Sequence, residues 1–184
     1  MSALRFNVAG LLKETSGAAR DLEVNAPPAE LTGLLESGRP AASLKGRLRA
    51  LRTPRSVFVR GQLQTRVALE CSRCLEEAEV PIRFALEAEY YPQIDVTTGK
   101  SVTIPDDDLG FSIDPNHELD LAEPVRQHLL LELPMSVTCR DECKGLCPSC
   151  GADLNARPCG CSDEVVDERM APLRDLLAKT KLSS

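Results

Sequence analysis

Eight cysteines in close pairs are the residues of this sequence best placed to do chemistry: Cys71/Cys74, Cys139/Cys143, Cys147/Cys150 and Cys159/Cys161. Six of the eight fall within residues 139–161, a stretch too poor in apolar side chains to hold itself together by burial. Thiolates at this density and spacing suit metal binding, with an ion standing in for the missing core. The sharpest signal is Cys147-Pro148-Ser149-Cys150-Gly151. Two residues between the thiolates let one chain reversal present both to a single ion, and glycine tolerates the positive φ such a turn needs. A tetrahedral site takes two more ligands, and Cys159 and Cys161 lie just beyond a short loop. Cys147, Cys150, Cys159 and Cys161 are therefore the expected all-thiolate structural zinc site, with Cys139 and Cys143 competing for the same places. The bland alternative is buried, inert cysteine, which the polar, glycine- and proline-bearing surroundings disfavour. Four thiolates also suit an iron–sulfur cluster, but cluster-specific spacing is not evident. Structural zinc contributes on the order of 10–16 kcal/mol, enough to order a segment of this kind without a core.

Cys71 and Cys74 admit three readings: a second metal site with Cys139 and Cys143, a redox C-x-x-C, or packed thiols at a hairpin tip. A redox pair normally sits at a helix N-terminus. This one lies between two expected strands, beside Glu76 and Glu77, carboxylates that are expected to raise a thiol pKa. The remaining chemistry is thin. His117 and His128 have no nucleophile motif around them, Asp106-Asp107-Asp108 lacks the calcium-loop pattern, and no glycine-rich loop cradles phosphate. No catalytic residue is named, and a thiol oxidoreductase ranks last among the functional classes.

The net charge of −6 hides a strong asymmetry. Residues 39–66 carry eight positive charges and no Asp or Glu, whereas residues 67–138 carry four basic and fifteen acidic side chains. Blocks of this kind can make one surface basic and another acidic. No apolar run of membrane-spanning length exists, and the N-terminus lacks the compact apolar stretch and cleavage site of a secretory signal. The expected compartment is the cytoplasm, where thiols stay reduced and paired cysteines are more often metal ligands than disulfides.

The elements that must position these groups read mainly as strands. A first strand is expected near Leu4–Val8, followed by a loose, partly helical connection. From Val57 to Leu69 apolar and polar residues alternate, and Leu44, Leu48 and Ala50 alternate with Lys45, Arg47 and Arg49 upstream; Arg52-Thr53-Pro54-Arg55 joins the two as a hairpin. Val80, Ile82, Phe84, Leu86, Ala88 and Tyr90 mark a third strand, with Pro81 favouring an edge or strand end. A short strand is expected at Phe111–Ile113. Asp120-Leu121-Ala122-Glu123 reads as a capping box for a helix ending near Leu133, stopped by Pro134. Its residues Leu121, Val125, Leu129 and Leu133 can cover the sheet. A final short helix is expected from Met170 through Leu177. The fold class is α+β: a small curved antiparallel sheet or partial barrel covered by a helix, with a cysteine-rich, zinc-bound C-terminal lobe. The expected organisation is residues 1–38 as N-terminal strand and connection, 39–138 as core domain, and 139–184 as zinc lobe with the last helix.

On the hairpin, Lys45, Arg47 and Arg49 of one strand and Arg60 and Arg66 of its neighbour share the outer face of the sheet. Cations grouped without a carboxylate among them form a footprint for phosphates, set against the plain reading of a solvated face. Phe58 on the same face offers a ring for stacking on a base.

Several ordered motifs carry a resemblance: Leu69-Glu70-Cys71-Ser72-Arg73-Cys74-Leu75-Glu76; Asp120-Leu121 opening a helix that ends Leu131-Glu132-Leu133-Pro134; the run from Cys143 through Asn155; Cys159-Gly160-Cys161; and Asp167-Glu168-Arg169-Met170-Ala171. In this order, over roughly residues 45–178, the chain resembles the YceD family, named for large ribosomal RNA subunit accumulation. The resemblance implies a non-enzymatic cytoplasmic factor supporting large-subunit (23S) ribosomal RNA processing or accumulation. Its implied partner is ribosomal RNA or a large-subunit precursor. Some relatives keep the first cysteine pair without the later cluster, which would make zinc an accessory and not the shared activity. A rival of another class is a protein–protein adaptor whose acidic half grips a basic ribosomal protein. Nothing in the sequence sets the oligomeric state.

Overall fold

The computed structural model describes residues 2–102, 110–161 and 169. In chain order these form β1 (Arg5–Asn7), α1 (Ala9–Lys13), β2 (Ala19–Ala26), α2 (Pro28–Leu31), β3 (Arg39–Pro40), β4 (Leu44–Arg52), β5 (Val57–Glu70), β6 (Glu77–Pro92), β7 (Phe111–Ile113), β8 (Glu118–Asp120) and α3 (Ala122–Glu132). The expected final helix at Met170–Leu177 and the Asp106-Asp107-Asp108 cluster lie outside the described residues. By its internal contacts the chain divides into two compact units, Met1–Cys139 and Arg140–Ser184.

In the first unit, period-two sequence becomes an open sheet in the order β2-β4-β5-β6-β7, with β3 on β5; β1 and β8 form a separate pair. The class is α+β with mostly strands. The sheet is mixed and not wholly antiparallel as expected, because the long excursion after β6 returns β7 parallel to it, pairing Tyr90–Pro92 with Phe111–Ile113. β7 reaches only that far, so β6 is an edge at Pro81, where a missing N–H costs no ladder bond on that side. The segment expected as a loose connection contains β2, antiparallel to β4 along its full length. Its three inward residues Leu22, Val24 and Ala26 are buried, too few to stand out as a pattern between Gly17 and Pro27.

One sheet face holds the core. Leu44, Leu48 and Ala50 of β4, Val57, Val59, Leu63 and Val67 of β5, and Ile82, Phe84, Leu86 and Ala88 of β6 are all buried. α3 packs on β6 with Val125 and Leu129 fully buried, and its His128 ring stacks on Phe84 at 5.8 Å. The capping box does not form. Asp120 Oδ1 accepts from the Ala122 amide at 2.8 Å, while Glu123 turns outward to Arg126 and Gln127. Those partners hold the Glu123 carboxyl down at about 2, the Arg126 guanidinium contributing most. Two glycines let β4 and β5 cross closely: a Cβ on Gly46 would lie 2.1 Å from the Gln62 carbonyl, and one on Gly61 2.2 Å from that of Arg47. Among the described residues no helix is long and apolar enough to cross a membrane.

Candidate metal centres and the outer sheet face

Between the last residue of β5, Glu70, and the first of β6, Glu77, the chain reverses through Cys71-Ser72-Arg73-Cys74-Leu75-Glu76. The Cys71 amide donates to the Glu76 carbonyl at 2.8 Å, and the Leu75 amide to the Cys71 carbonyl at 2.9 Å. Leu75 takes a φ of 63° to close this turn. The same construction recurs in the second unit. The Cys147 amide donates to Ala152 at 2.8 Å, the Gly151 amide to Cys147 at 2.9 Å, and Gly151 has a φ of 70°. Each turn points its backbone N–H groups at its first sulfur. The amides of Cys74, Arg73 and Cys139 bring the Cys71 thiol down to about 6. The amides of Cys150 and Ser149, helped by the Cys159 thiol, do the same for Cys147, also to about 6. Glu76 and Glu77 were expected to raise Cys71, but hydrogen bonds to the thiolate dominate. Glu77 is itself engaged by Arg39 at 2.6 Å.

Within the first unit the Sγ atoms of Cys71, Cys74 and Cys139 lie within 4.8 Å of one another, and within the second those of Cys147, Cys150, Cys159 and Cys161 do the same. A tetrahedral ion with metal–sulfur bonds of about 2.3 Å places its sulfurs roughly 3.8 Å apart, so both groups can hold a metal ion with slight contraction. Cys74 and Cys139 already stand 3.6 Å apart. Without a cation four thiolates cannot coexist. Cys161 is pushed up to about 12 by Cys150 and Cys147. For Cys159 the Cys161 amide is the largest single influence and lowers it, but Cys147, burial and Cys150 together leave it raised. Cys71 and Cys74 of the first group are buried and Cys139 is half-buried; in the second group only Cys147 is buried. Sequence reasoning did not single out Asn155 as a supporting residue. Its side-chain amide donates to Cys143 Sγ at 3.5 Å and to Asp153 at 2.8 Å, and its Oδ1 accepts from the Lys144 amide at 2.9 Å. An N–H aimed at a ligand sulfur is the usual outer support of such a site.

The five cations of the hairpin, Lys45, Arg47, Arg49, Arg60 and Arg66, all stand exposed on the outer sheet face, the alternate positions being core. The flanking strands add carboxylates that the hairpin alone does not contain. Arg47 lies 3.6 Å from Glu23 of β2, and Arg66 3.7 Å from Glu79 of β6. Arg49 pairs across from Asp21, and Arg60 across from Glu87. β6 also supplies a cation that was not singled out, Arg83, opposite Gln64. Phe58 is half-buried, in register with Glu89 at the far end of the hairpin. Of the other basic residues in this block, Arg39 is tied to Glu77, and Arg52 donates to the carbonyls of Thr53 and Ser56 in the turn.

The family model described as "Large ribosomal RNA subunit accumulation protein YceD" matches residues 59–177, more than half of the chain. An uncharacterized protein of Mycobacterium tuberculosis is 35% identical over 130 residues, covering 71% of this chain and 60% of the relative. One from Mycobacterium leprae is 30% identical over 132 residues, covering 71% and 58%. The chain thus spans about 60% of the length of the mycobacterial relatives it matches. The "Large ribosomal RNA subunit accumulation protein YCED homolog 1, chloroplastic" of Arabidopsis thaliana is 39% identical over 59 residues, 32% of this chain and 18% of that protein. No solved structure matches the chain. With its family motifs in order along the sequence and the family model matching from β5 through β6, β7 and the helix to both cysteine groups, the chain belongs to the YceD family of large ribosomal RNA subunit accumulation proteins.

Proposed function

We propose that this protein is a non-enzymatic, cytoplasmic ribosome-biogenesis factor that supports processing or accumulation of large-subunit (23S) ribosomal RNA. It contacts that RNA, or a precursor particle, through the outer face of β4 and β5. The observation that carries this reading is the shared exposure of Lys45, Arg47, Arg49, Arg60 and Arg66 on one sheet face, in a chain of this family. Structural zinc held by Cys147, Cys150, Cys159 and Cys161, and a second ion by Cys71, Cys74, Cys139 and Cys143, order the segments that burial leaves loose; the metals take no part in the RNA contact. Replacing the five cations by Glu changes only exposed side chains, so the fold survives. The variant is expected to lose co-sedimentation with large-subunit precursors in density gradients, and unchanged co-sedimentation would sink this placement. The second reading, an adaptor for a basic ribosomal protein, draws on the carboxylates Asp21, Glu23, Glu79 and Glu87 that share the face. Binding to naked ribosomal RNA, compared with binding to isolated basic ribosomal proteins, separates the two.

A further inference from the structure

The outer sheet face is not uniformly basic, and its strand register divides it into rows. One row runs Asp21, Arg49, Arg60, Glu87 across β2, β4, β5 and β6, two cations between two carboxylates. The next runs Glu23, Arg47, Gln62, Ala85, a single cation against a single carboxylate. Carboxylates facing cations along a row offset part of their field, and what remains is screened beyond about 10 Å. The third row runs Asn25, Lys45, Gln64, Arg83. It holds two cations and no carboxylate. Among the described residues none of Lys45, Arg83, Arg49 and Arg60 makes an ion pair, so what sets this row apart is that no carboxylate lies in it. The nearest carboxylates on either side are occupied, Glu23 by Arg47 and Glu79 by Arg66. All four side chains of the third row are exposed. Two open grooves of about 360 Å³ each lie along it, and Lys45, Gln64 and Arg83 line both.

We propose that Lys45 and Arg83, flanking Gln64, are the main phosphate seat of this protein for a single strand of RNA, the Arg49/Arg60 row contributing less because carboxylates face it. The inference rests on the RNA reading above and narrows its contact to one row. Lys45 and Arg83 stand two strands apart, so their backbones are about 10 Å from each other, and each can engage a separate phosphate of one strand. The Arg83 guanidinium offers a forked donor pair that matches phosphate oxygens. Gln62 and Gln64, at the groove floor between the cations, carry amides that donate and accept toward ribose hydroxyls or base edges. An acidic peptide could also meet the two cations and the amides, so RNA is favoured by the reading above and by the spacing of the cations, and the peptide is an outcome of the test.

The test is fluorescence anisotropy of the full chain with a short labelled oligouridylate across a salt series, with a poly-glutamate peptide as a second probe. Lys45→Ala/Arg83→Ala is expected to weaken RNA binding by about tenfold or more and to flatten the salt slope by about 1.4, the share of two phosphates on a single strand. Arg49→Ala/Arg60→Ala is expected to weaken RNA binding several-fold less than Lys45→Ala/Arg83→Ala, because Asp21 and Glu87 face those two cations. Equal loss in both double variants would overturn the row assignment while leaving the RNA reading standing. No binding of RNA by the unaltered protein would overturn both. Binding of poly-glutamate alone, lost in Lys45→Ala/Arg83→Ala, would overturn the RNA assignment in favour of a protein ligand. Every substituted side chain is exposed, and matching circular dichroism spectra check that the fold is kept.

Discussion

Leu75 and Gly151 hold the same position in two copies of one turn, each following the second cysteine of a C-x-x-C and each donating its amide to the carbonyl of the first at 2.9 Å. Both take positive φ, 63° and 70°. Glycine does this without strain, whereas a leucine in the left-handed region costs about 1–2 kcal/mol. Leu75 is 61% exposed, so its side chain recovers little of that by burial. Leu75→Gly is therefore expected to leave the urea midpoint unchanged or raise it, despite deleting a whole side chain. Gly151→Val should lower the second group's metal affinity, a loss readable by competition with a chelating dye. A marked fall in the urea midpoint on Leu75→Gly would show that the turn is not strained there.

The close crossing of β4 and β5 makes a second expectation. A methyl at residue 61 would sit 2.2 Å from a backbone carbonyl, where no side-chain rotation relieves it. Gly61→Ala should cost at least about 1–3 kcal/mol, the range of core overpacking, measured by urea denaturation. Gly33→Ala, where a Cβ meets nothing within 4 Å, serves as the control and should be near neutral.

Metal content follows from the two cysteine groups. Mass spectrometry of the intact protein is expected to find two zinc ions per chain, and one each in Cys71→Ser and Cys147→Ser. Because Cys71 and Cys74 are both buried, whereas in the second group only Cys147 is, a chelator should remove the second ion first. Absence of zinc from the intact protein would overturn the view that ions replace a core around residues 139–161.

How much of this was legible in the sequence depends on how local the cause was. β4, β5 and β6 were legible because period-two alternation over nine or more residues is a local record of which face is buried. α3 was legible from Leu121, Val125 and Leu129, and so were its bounds, but its cap was not. Asp120 and Glu123 have the spacing of a capping box, yet Arg126 and Gln127 compete for the Glu123 carboxylate. β2 was missed because three small or medium apolar residues, Leu22, Val24 and Ala26, give too short a pattern. The parallel return of β7 depends on a long connection that no local residue encodes. Each C-x-x-C turn was visible in its spacing, but which pair completes which group is a long-range fact. The same holds for the outer face. The hairpin cations were plain, whereas Arg83 and the neutralising Asp21, Glu23 and Glu87 come from strands whose register only the fold supplies.

Direct contact between this protein and large-subunit ribosomal RNA can be read in living cells by ultraviolet crosslinking, followed by sequencing of the RNA bound to the full protein. Reads are expected to concentrate on large-subunit ribosomal RNA and its precursor, and to be depleted in Lys45→Ala/Arg83→Ala. Reads spread no differently from an untagged control, with the protein still recovered among large-subunit precursors, would contradict it.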